Sequence, residues 1–233
     1  MKPQYAEQRS FRDVRRGIAL IGVGHASLAG RRFTCEGVRV EAMEYRDLAL
    51  LVRALRNDEV GRVGDASWMA REERLVLRLC DRLIAKSSLL PAKPGTVFAS
   101  RSELNETAKQ TYGRWRRALG RVMGKQEWLV LGYAGPHSAP AACGSAVLGK
   151  VLVGRRSVIG APFADLWHAL SSVAAQGRLI VPRDPRAAFG AALLVAAEHA
   201  TAFRHTMLRA VAECAATGVT VYYAGPRAPF HFT

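Results

Sequence analysis

The chain is poor in cysteine and in acid, and it has no apolar run long enough to cross a bilayer. Its four cysteines, Cys35, Cys80, Cys143 and Cys214, are too evenly spread to form the paired ligand spacing of a zinc site. Cys80 and Cys214 fall on apolar helical faces, where a free thiol serves as a small hydrophobe. Structural disulfides are not expected in a cytosolic setting. No stretch approaches the roughly 20 apolar residues of a membrane span. The N-terminus is polar and charged and lacks a signal-peptide pattern. The expectation is a soluble, cytoplasmic protein with no membrane partner.

Acidic side chains are scarcest in the second half. Asp165, Asp184 and Glu198 fall at element ends, so no pair of carboxylates can be nominated for acid–base work. The six histidines, His25, His137, His168, His199, His205 and His231, show no metal spacing. His199 and His205 are six apart, on different sides of a helix. All six read as solvated or capping residues. Ser138 and Ser145 lack the Gly-x-Ser-x-Gly elbow of a hydrolase nucleophile. Residues 144–150 have the Gly-x4-Gly-Lys spacing of a phosphate loop, but Val151 stands where a hydroxyl should bind magnesium. Prolines precede that loop and a β-branched run follows it, where a helix N-terminus is needed. No catalytic residue, metal ligand or cofactor is assigned, and the chain is not expected to be an enzyme.

What the chain does have is apolar bulk and positive charge. Hydrophobic residues make up 49% of it, enough for a real core in one domain or two. The formal charge is +15, and residues 1–125 hold 25 Lys/Arg against 14 Asp/Glu. A basic front half suits nucleic acid, an anionic membrane surface or an acidic protein. Arginine spread over solvated helix faces accounts for it equally.

In the first half, residues 17–23 and 38–43 read as strands, joined by a Gly- and Arg-containing connection over 24–37. Leu48, Leu51, Val52 and Leu55 have the i, i+3, i+4, i+7 spacing that predicts a helix. Residues 57–67 read as a loop. A helix over 70–86 buries Val76, Leu79, Cys80 and Leu83. Ser102 is expected to cap a longer helix with the apolar line Leu104, Ala108, Tyr112, Trp115, Leu119 and Val122. Gly124 ends that helix.

Beyond Gly124 the pattern changes. Residues 127–133 are apolar on both faces of a strand, the sign of a central position. Residues 135–160 are rich in Gly, Ala and Pro, with a short β-like run over 147–153. A helix over 162–176, strands over 178–181 and 188–196, a helix over 199–216 and a last strand follow. The expectation is an α+β protein of two domains: an N-terminal mixed domain over 1–124 and a C-terminal ferredoxin-like domain over 125–233, ordered β–α–β–β–α–β.

Two stiff segments stand out. The chain ends Tyr222–Tyr223–Ala224–Gly225–Pro226–Arg227–Ala228–Pro229–Phe230–His231–Phe232, a strand meeting a Gly-Pro breaker that should stop sheet pairing. Chain ends are ordinarily frayed and polar, so this one is docked on something, either its own domain or a partner as well. Earlier, Leu89–Leu90–Pro91–Ala92–Lys93–Pro94–Gly95–Thr96–Val97–Phe98 forms a stiff extended turn presenting Leu90, Val97 and Phe98. It suits an inter-domain packing segment or an edge to which a partner strand adds.

Together these segments resemble the gas-vesicle proteins F and L. That family finishes on a strand followed by Gly-Pro-Trp-Pro-Pro-Tyr-Ser-Phe. Gly225, Pro226, Pro229 and Phe232 match in place, and Phe230 stands for the tyrosine. Arg227 replaces the tryptophan, Ala228 one proline and His231 the serine. The earlier segment is similar to the family's Leu-Pro-x-x-x-Gly-Thr-x-Phe, with Leu90, Pro91, Gly95 and Phe98 in place. The order of elements agrees along nearly the whole chain.

The resemblance implies a non-enzymatic accessory role in gas vesicle assembly. It implies as partners the hydrophobic shell subunit and other gas-vesicle proteins, and a location in the cytoplasm, associated with the vesicle. The matched residues, Leu90, Pro91, Gly95, Phe98, Gly225, Pro226, Pro229, Phe230 and Phe232, are the candidate interaction residues. The alternative is a basic ferredoxin-like module for RNA or DNA. It lacks the closely spaced aromatics of a base-stacking strand, since residues 188–193 offer only Phe189 and Trp128 and Tyr133 suit a core.

Overall fold

A computed structural model describes residues 17–84, 87–134 and 161–232. Ten strands and five helices lie among them, in two antiparallel sheets. The first strand, β1 (Ile18–His25), leads through a short 3-10 turn to β2 (Arg32–Cys35), β3 (Val38–Tyr45) and β4 (Leu48–Ala54). After the single-turn α1 (Asn57–Val60) comes α2 (Ala66–Ile84). The short strands β5 (Leu89–Pro91) and β6 (Val97–Phe98) precede α3 (Arg101–Val122). The second half runs β7 (Lys125–Ala134), α4 (Ala161–Ser171), β8 (Gln176–Leu179), β9 (Phe189–Ala196), α5 (Ala200–Ala216) and β10 (Val219–Arg227).

The first sheet has the order β2-β3-β4-β1-β5, and β6 also pairs with β1. The connection over 24–37 therefore contains a strand of its own. Its hairpin turns at Glu36 and Gly37, both at positive φ (51° and 72°), the backbone that a two-residue turn between twisted strands requires.

The expected helix through Leu48, Leu51, Val52 and Leu55 is instead β4, paired with β1 and β3. Its residues from Leu48 to Arg53 are all buried. A continuous apolar run satisfies helical spacing and a two-sided central strand equally, and here the length of seven residues is that of a strand. The expected loop over 57–67 also holds α1. The cap of α3 is Ser100 rather than Ser102: its hydroxyl accepts from the Glu103 N–H at 3.2 Å.

Strand alternation sorts the core. Ile21, Ala49 and Leu51 face α2 through Leu75, Val76, Leu79 and Leu83. Leu20, Val23, Leu50 and Val52 face the other way, onto Leu104, Ala108, Leu119 and Val122 of α3. A bulge in β1 between Leu20 and Gly22 lets Leu20 and Val23 share that face. The same cluster takes in Leu129, Ala192 and Leu194 from the second half.

The second sheet has the order β10-β7-β9-β8. Trp128, Val130, Ala191 and Leu193 point to its other face, under Phe163 and Leu170 of α4 and Phe203 and Met207 of α5. Both faces of β7 and β9 are thus covered, one by helices and one by the first half of the chain. The 135–160 segment, with its phosphate-loop spacing and β-like run, lies outside the described residues.

One polar cluster sits inside the first half. Arg53 on β4 is buried and donates from Nε to Glu72 Oε1 at 2.9 Å and from its terminal nitrogen to Glu59 Oε2 at 3.0 Å. Arg71 also pairs with Glu59. Burial works against ionisation of Glu59, but the Arg56 N–H and the Arg53 guanidinium outweigh it and hold the carboxyl below its ordinary value. That contribution is present above the unfolded pKa and is lost as the pH falls through the lowered folded one.

Arg53→Met leaves two buried carboxylates without their shared cation. It is expected to lower stability by about 3–5 kcal/mol, read as a fall in the urea midpoint at unchanged slope.

Candidate functional site

The two stiff segments end in different settings. β10 pairs with β7 as far as Ala224, skips Gly225 and Pro226, and resumes at Arg227 opposite Glu127. The Gly-Pro pair therefore interrupts the ladder without ending it. β10 is an edge strand, so the missing N–H of Pro226 breaks no ladder bond. Gly225 lies against the Trp128 ring, and a Cβ there would fall 2.6 Å from it.

Past Arg227 the chain is fastened on two sides. The Ala228 N–H donates to Asp81 Oδ1 of α2 at 2.9 Å, and Arg227 Nε lies 3.8 Å from Asp81 Oδ2. The His231 N–H donates to Glu127 Oε2 at 2.8 Å, and its ring Nδ1 meets Glu127 Oε1 at 2.7 Å. A carboxylate only accepts, so Nδ1 is the donor. Arg178 of β8 donates to the His231 carbonyl at 2.8 Å and lies over the Phe232 ring.

Ala228, Pro229 and Phe232 are buried, Phe230 is partly so, and Pro226 is exposed. Phe232 enters the core shared by both halves, whereas Ala228 and Phe230 pack on the cluster beneath α2. The three departures from the family ending, Arg227, Ala228 and His231, each meet a fitted neighbour in Asp81 or Glu127.

Burial pushes the Asp81 carboxyl above the usual range, against the Ala228 N–H and Arg227, which pull it down. Glu127 and His231 were not legible as a pair in the sequence. They are 104 residues apart, and the reading of His231 as solvated or capping is wrong for that reason. With side-chain exposures of 1% and 3%, this acid and base are sealed from any substrate.

The earlier segment borders open space. Leu90 and Phe98, both buried, join Leu20 and Val23 of β1 as the floor of a groove of about 490 Å3. The far wall is α3, through Thr107, Thr111, Trp115 and Ala118. Lys93, Arg114 and Arg121 stand on the rim. Pro91 is buried, and Pro94 and Gly95 are partly exposed. Gly95 has φ +82°, and a Cβ there would meet Met69 Sδ at 2.8 Å. The structure thus gathers Leu90, Pro91 and Phe98 at one groove and Gly225, Pro229, Phe230 and Phe232 at an internal seam, with Phe232 in the same core cluster as Leu90 and Phe98.

The remaining candidates among the described residues lie in the core. Phe189 stacks on Phe163 in the core, and Trp128 and Tyr133 are buried, so none presents a face to a base. Cys35, Cys80 and Cys214 are free and buried, and burial raises the Cys80 thiol well above its ordinary value. Among the described residues no group of three or more His, Cys, Asp or Glu could hold a metal ion. None of the described helices is long and apolar enough to cross a membrane.

The model of the gas vesicle synthesis protein GvpL/GvpF family matches residues 21–144 and 155–233. The crystal structure of the gas vesicle protein GvpF from Anabaena sp. PCC7120 superposes with a TM-score of 0.72 at 13% identity, covering 93% of this chain and 98% of that one. GvpF from Microcystis aeruginosa gives 0.69 at 14% identity, with the same coverage of 93% and 98%. No curated sequence matches the chain.

Two substitutions test the seam. His231→Ala leaves the Glu127 carboxylate buried with one donor and is expected to cost about 3 kcal/mol; Glu127→Gln, which leaves no unpaired charge, should cost less in the same denaturant titration. Asp81→Ala loses the acceptor for the Ala228 N–H, about 1–2 kcal/mol. Asp81→Asn keeps an acceptor and removes a charge that burial disfavours. It should match or exceed the parent protein at neutral pH, and any advantage should vanish as the pH falls through the raised Asp81 pKa, where the parent side chain also becomes neutral.

Proposed function

The chain belongs to the GvpL/GvpF family of gas vesicle synthesis proteins, and from that membership we propose that it acts as a non-enzymatic accessory protein in gas vesicle assembly. In this reading it binds the hydrophobic shell subunit and other gas-vesicle proteins while the shell forms. Its place is the cytoplasm, in association with the vesicle. The observation that carries the reading is the family match on both sides of the 145–154 gap, which includes both stiff segments. The physical need is plain: a subunit that polymerises through apolar surface aggregates if left unescorted.

We also infer two domains, 1–124 and a ferredoxin-like 125–233. The support is the β–α–β–β–α–β order with strand order β10-β7-β9-β8 and both helices on one face. The matched residues divide by role. Leu90, Pro91 and Phe98 line the groove beside α3, and Gly95, at positive φ, turns the same segment against Met69 of α2. Gly225, Pro229, Phe230 and Phe232 fasten the chain end against both halves, and the exposed Pro226 interrupts the β10 ladder just before it.

Purified chain mixed with the shell subunit and with each co-encoded gas-vesicle protein should retain at least the shell subunit through size-exclusion chromatography. A cell lacking the gene should make no normal vesicles. Failure to retain any gas-vesicle protein, with vesicles formed normally in the gene's absence, overturns the proposal.

A further inference from the structure

We infer that the groove between α3 and the β5–β6 segment is a docking site for an acidic peptide segment: a large apolar side chain flanked by carboxylates, on another gas-vesicle protein. This deepens the assembly reading and rests on it. Its floor, Leu20, Val23, Leu90 and Phe98, is apolar, and the space of about 490 Å3 suits a few large side chains. Thr107, Thr111, Arg114, Ala118 and Arg121 recur at alternating steps of four and three, so they form one stripe along α3. That stripe is about 21 Å long, the length of a peptide segment and not of a single residue.

Charge selects the occupant. Lys93, Arg114 and Arg121 rim the groove, and no carboxylate is among its lining residues. None of the three cations pairs with a carboxylate among the described residues. The chain's own remaining segments fit poorly. Residues 1–16 carry five Lys/Arg against two Asp/Glu, and residues 135–160 carry Lys150, Arg155 and Arg156 with no acid. A second copy, at net +15, is repelled for the same reason. A nucleic acid would find phosphate contacts on the rim, but the lining holds only two aromatic rings, the buried Phe98 and the partly buried Trp115, where successive bases need a series of exposed stacking platforms. An apolar anchor between carboxylates satisfies floor and rim together.

The test places the photo-crosslinking residue benzoyl-phenylalanine at Thr111, inside the groove, and separately at the exposed Leu208 of α5. Each full-length chain is made in cells expressing the gas-vesicle gene set, and crosslinked peptides are sequenced. The Thr111 probe is expected to capture a gas-vesicle protein through a segment with an apolar residue and at least two neighbouring Asp/Glu. Combining the probe with Arg114→Glu and Arg121→Glu, both at exposed positions, should reduce the yield about tenfold, with the melting temperature unchanged. The inference is overturned by capture of a nucleic acid, of a second copy, or of a segment without carboxylates. A yield indifferent to the two charge reversals also overturns it. Capture of gas-vesicle proteins at Leu208 but not at Thr111 removes the groove and leaves the assembly reading standing. Capture of none at either position counts against that reading itself.

Discussion

The architecture depends on covering both faces of β7. That strand is buried almost from end to end, so the sheet it centres needs a roof on each side. α4 and α5 supply one, and the first half of the chain supplies the other. A sheet covered by a separate part of the chain leaves a seam, and this seam contains a carboxylate, Glu127, that water does not reach. A buried charge is tolerated only when its hydrogen bonds are made. Both donors come from one residue, His231, close to the chain end. The ending is therefore part of the interior, and its stiffness has a physical cause. Gly225 admits the Trp128 ring, Pro229 and Phe232 fill space, and Asp81 and Arg178 hold the backbone between them.

This arrangement separates two jobs that look alike in the sequence. Both stiff segments combine proline with bulky apolar side chains, yet one closes the molecule and the other borders an opening. A fastened seam makes the groove beside α3 a fixed shape, because its floor belongs to the core that both halves share. Pre-formed binding surfaces lose less entropy on association than mobile ones. In this member of the GvpL/GvpF family of gas vesicle synthesis proteins, the fastened seam and the basic-rimmed groove are the features that the two stiff segments build.

Much of the second half was legible because its signals are local. β7 and β9 are long apolar runs, and the α4 and α5 faces have clear helical spacing. The breakers misplace some ends: α4 stops at Ser171 rather than 176, β8 spans Gln176–Leu179 rather than 178–181, and Gly225–Pro226 interrupts β10 without ending it. In the first half β4 was misread, since Leu48–Ala49–Leu50–Leu51–Val52 carries no alternation to reveal a strand buried on both sides. β2 was missed because Arg32, Phe33 and Thr34 are half polar at a sheet edge. The polar interior was invisible for a different reason. Arg53 with Glu72, Ala228 with Asp81 and His231 with Glu127 join positions 19, 147 and 104 residues apart, and spacing along the chain says nothing about such pairs. The one available signal was the lone acid in the apolar strand 127–133, with a histidine where the family ending has serine. The groove had half a signature: the proline-bearing segment was visible, but its wall, the Thr107–Arg121 stripe, looked like an ordinary solvated helix face.

The claim that the chain end is an internal fastener is tested most directly by native-state hydrogen exchange of the Ala228 and His231 amides, both of which donate to carboxylates at the seam. If the account holds, these two amides exchange only when the whole molecule unfolds, at the rate of the β7 amides, and they respond to denaturant with the same slope. Exchange near the rate of an unprotected amide, while β7 stays protected, would show a detached chain end and contradict it.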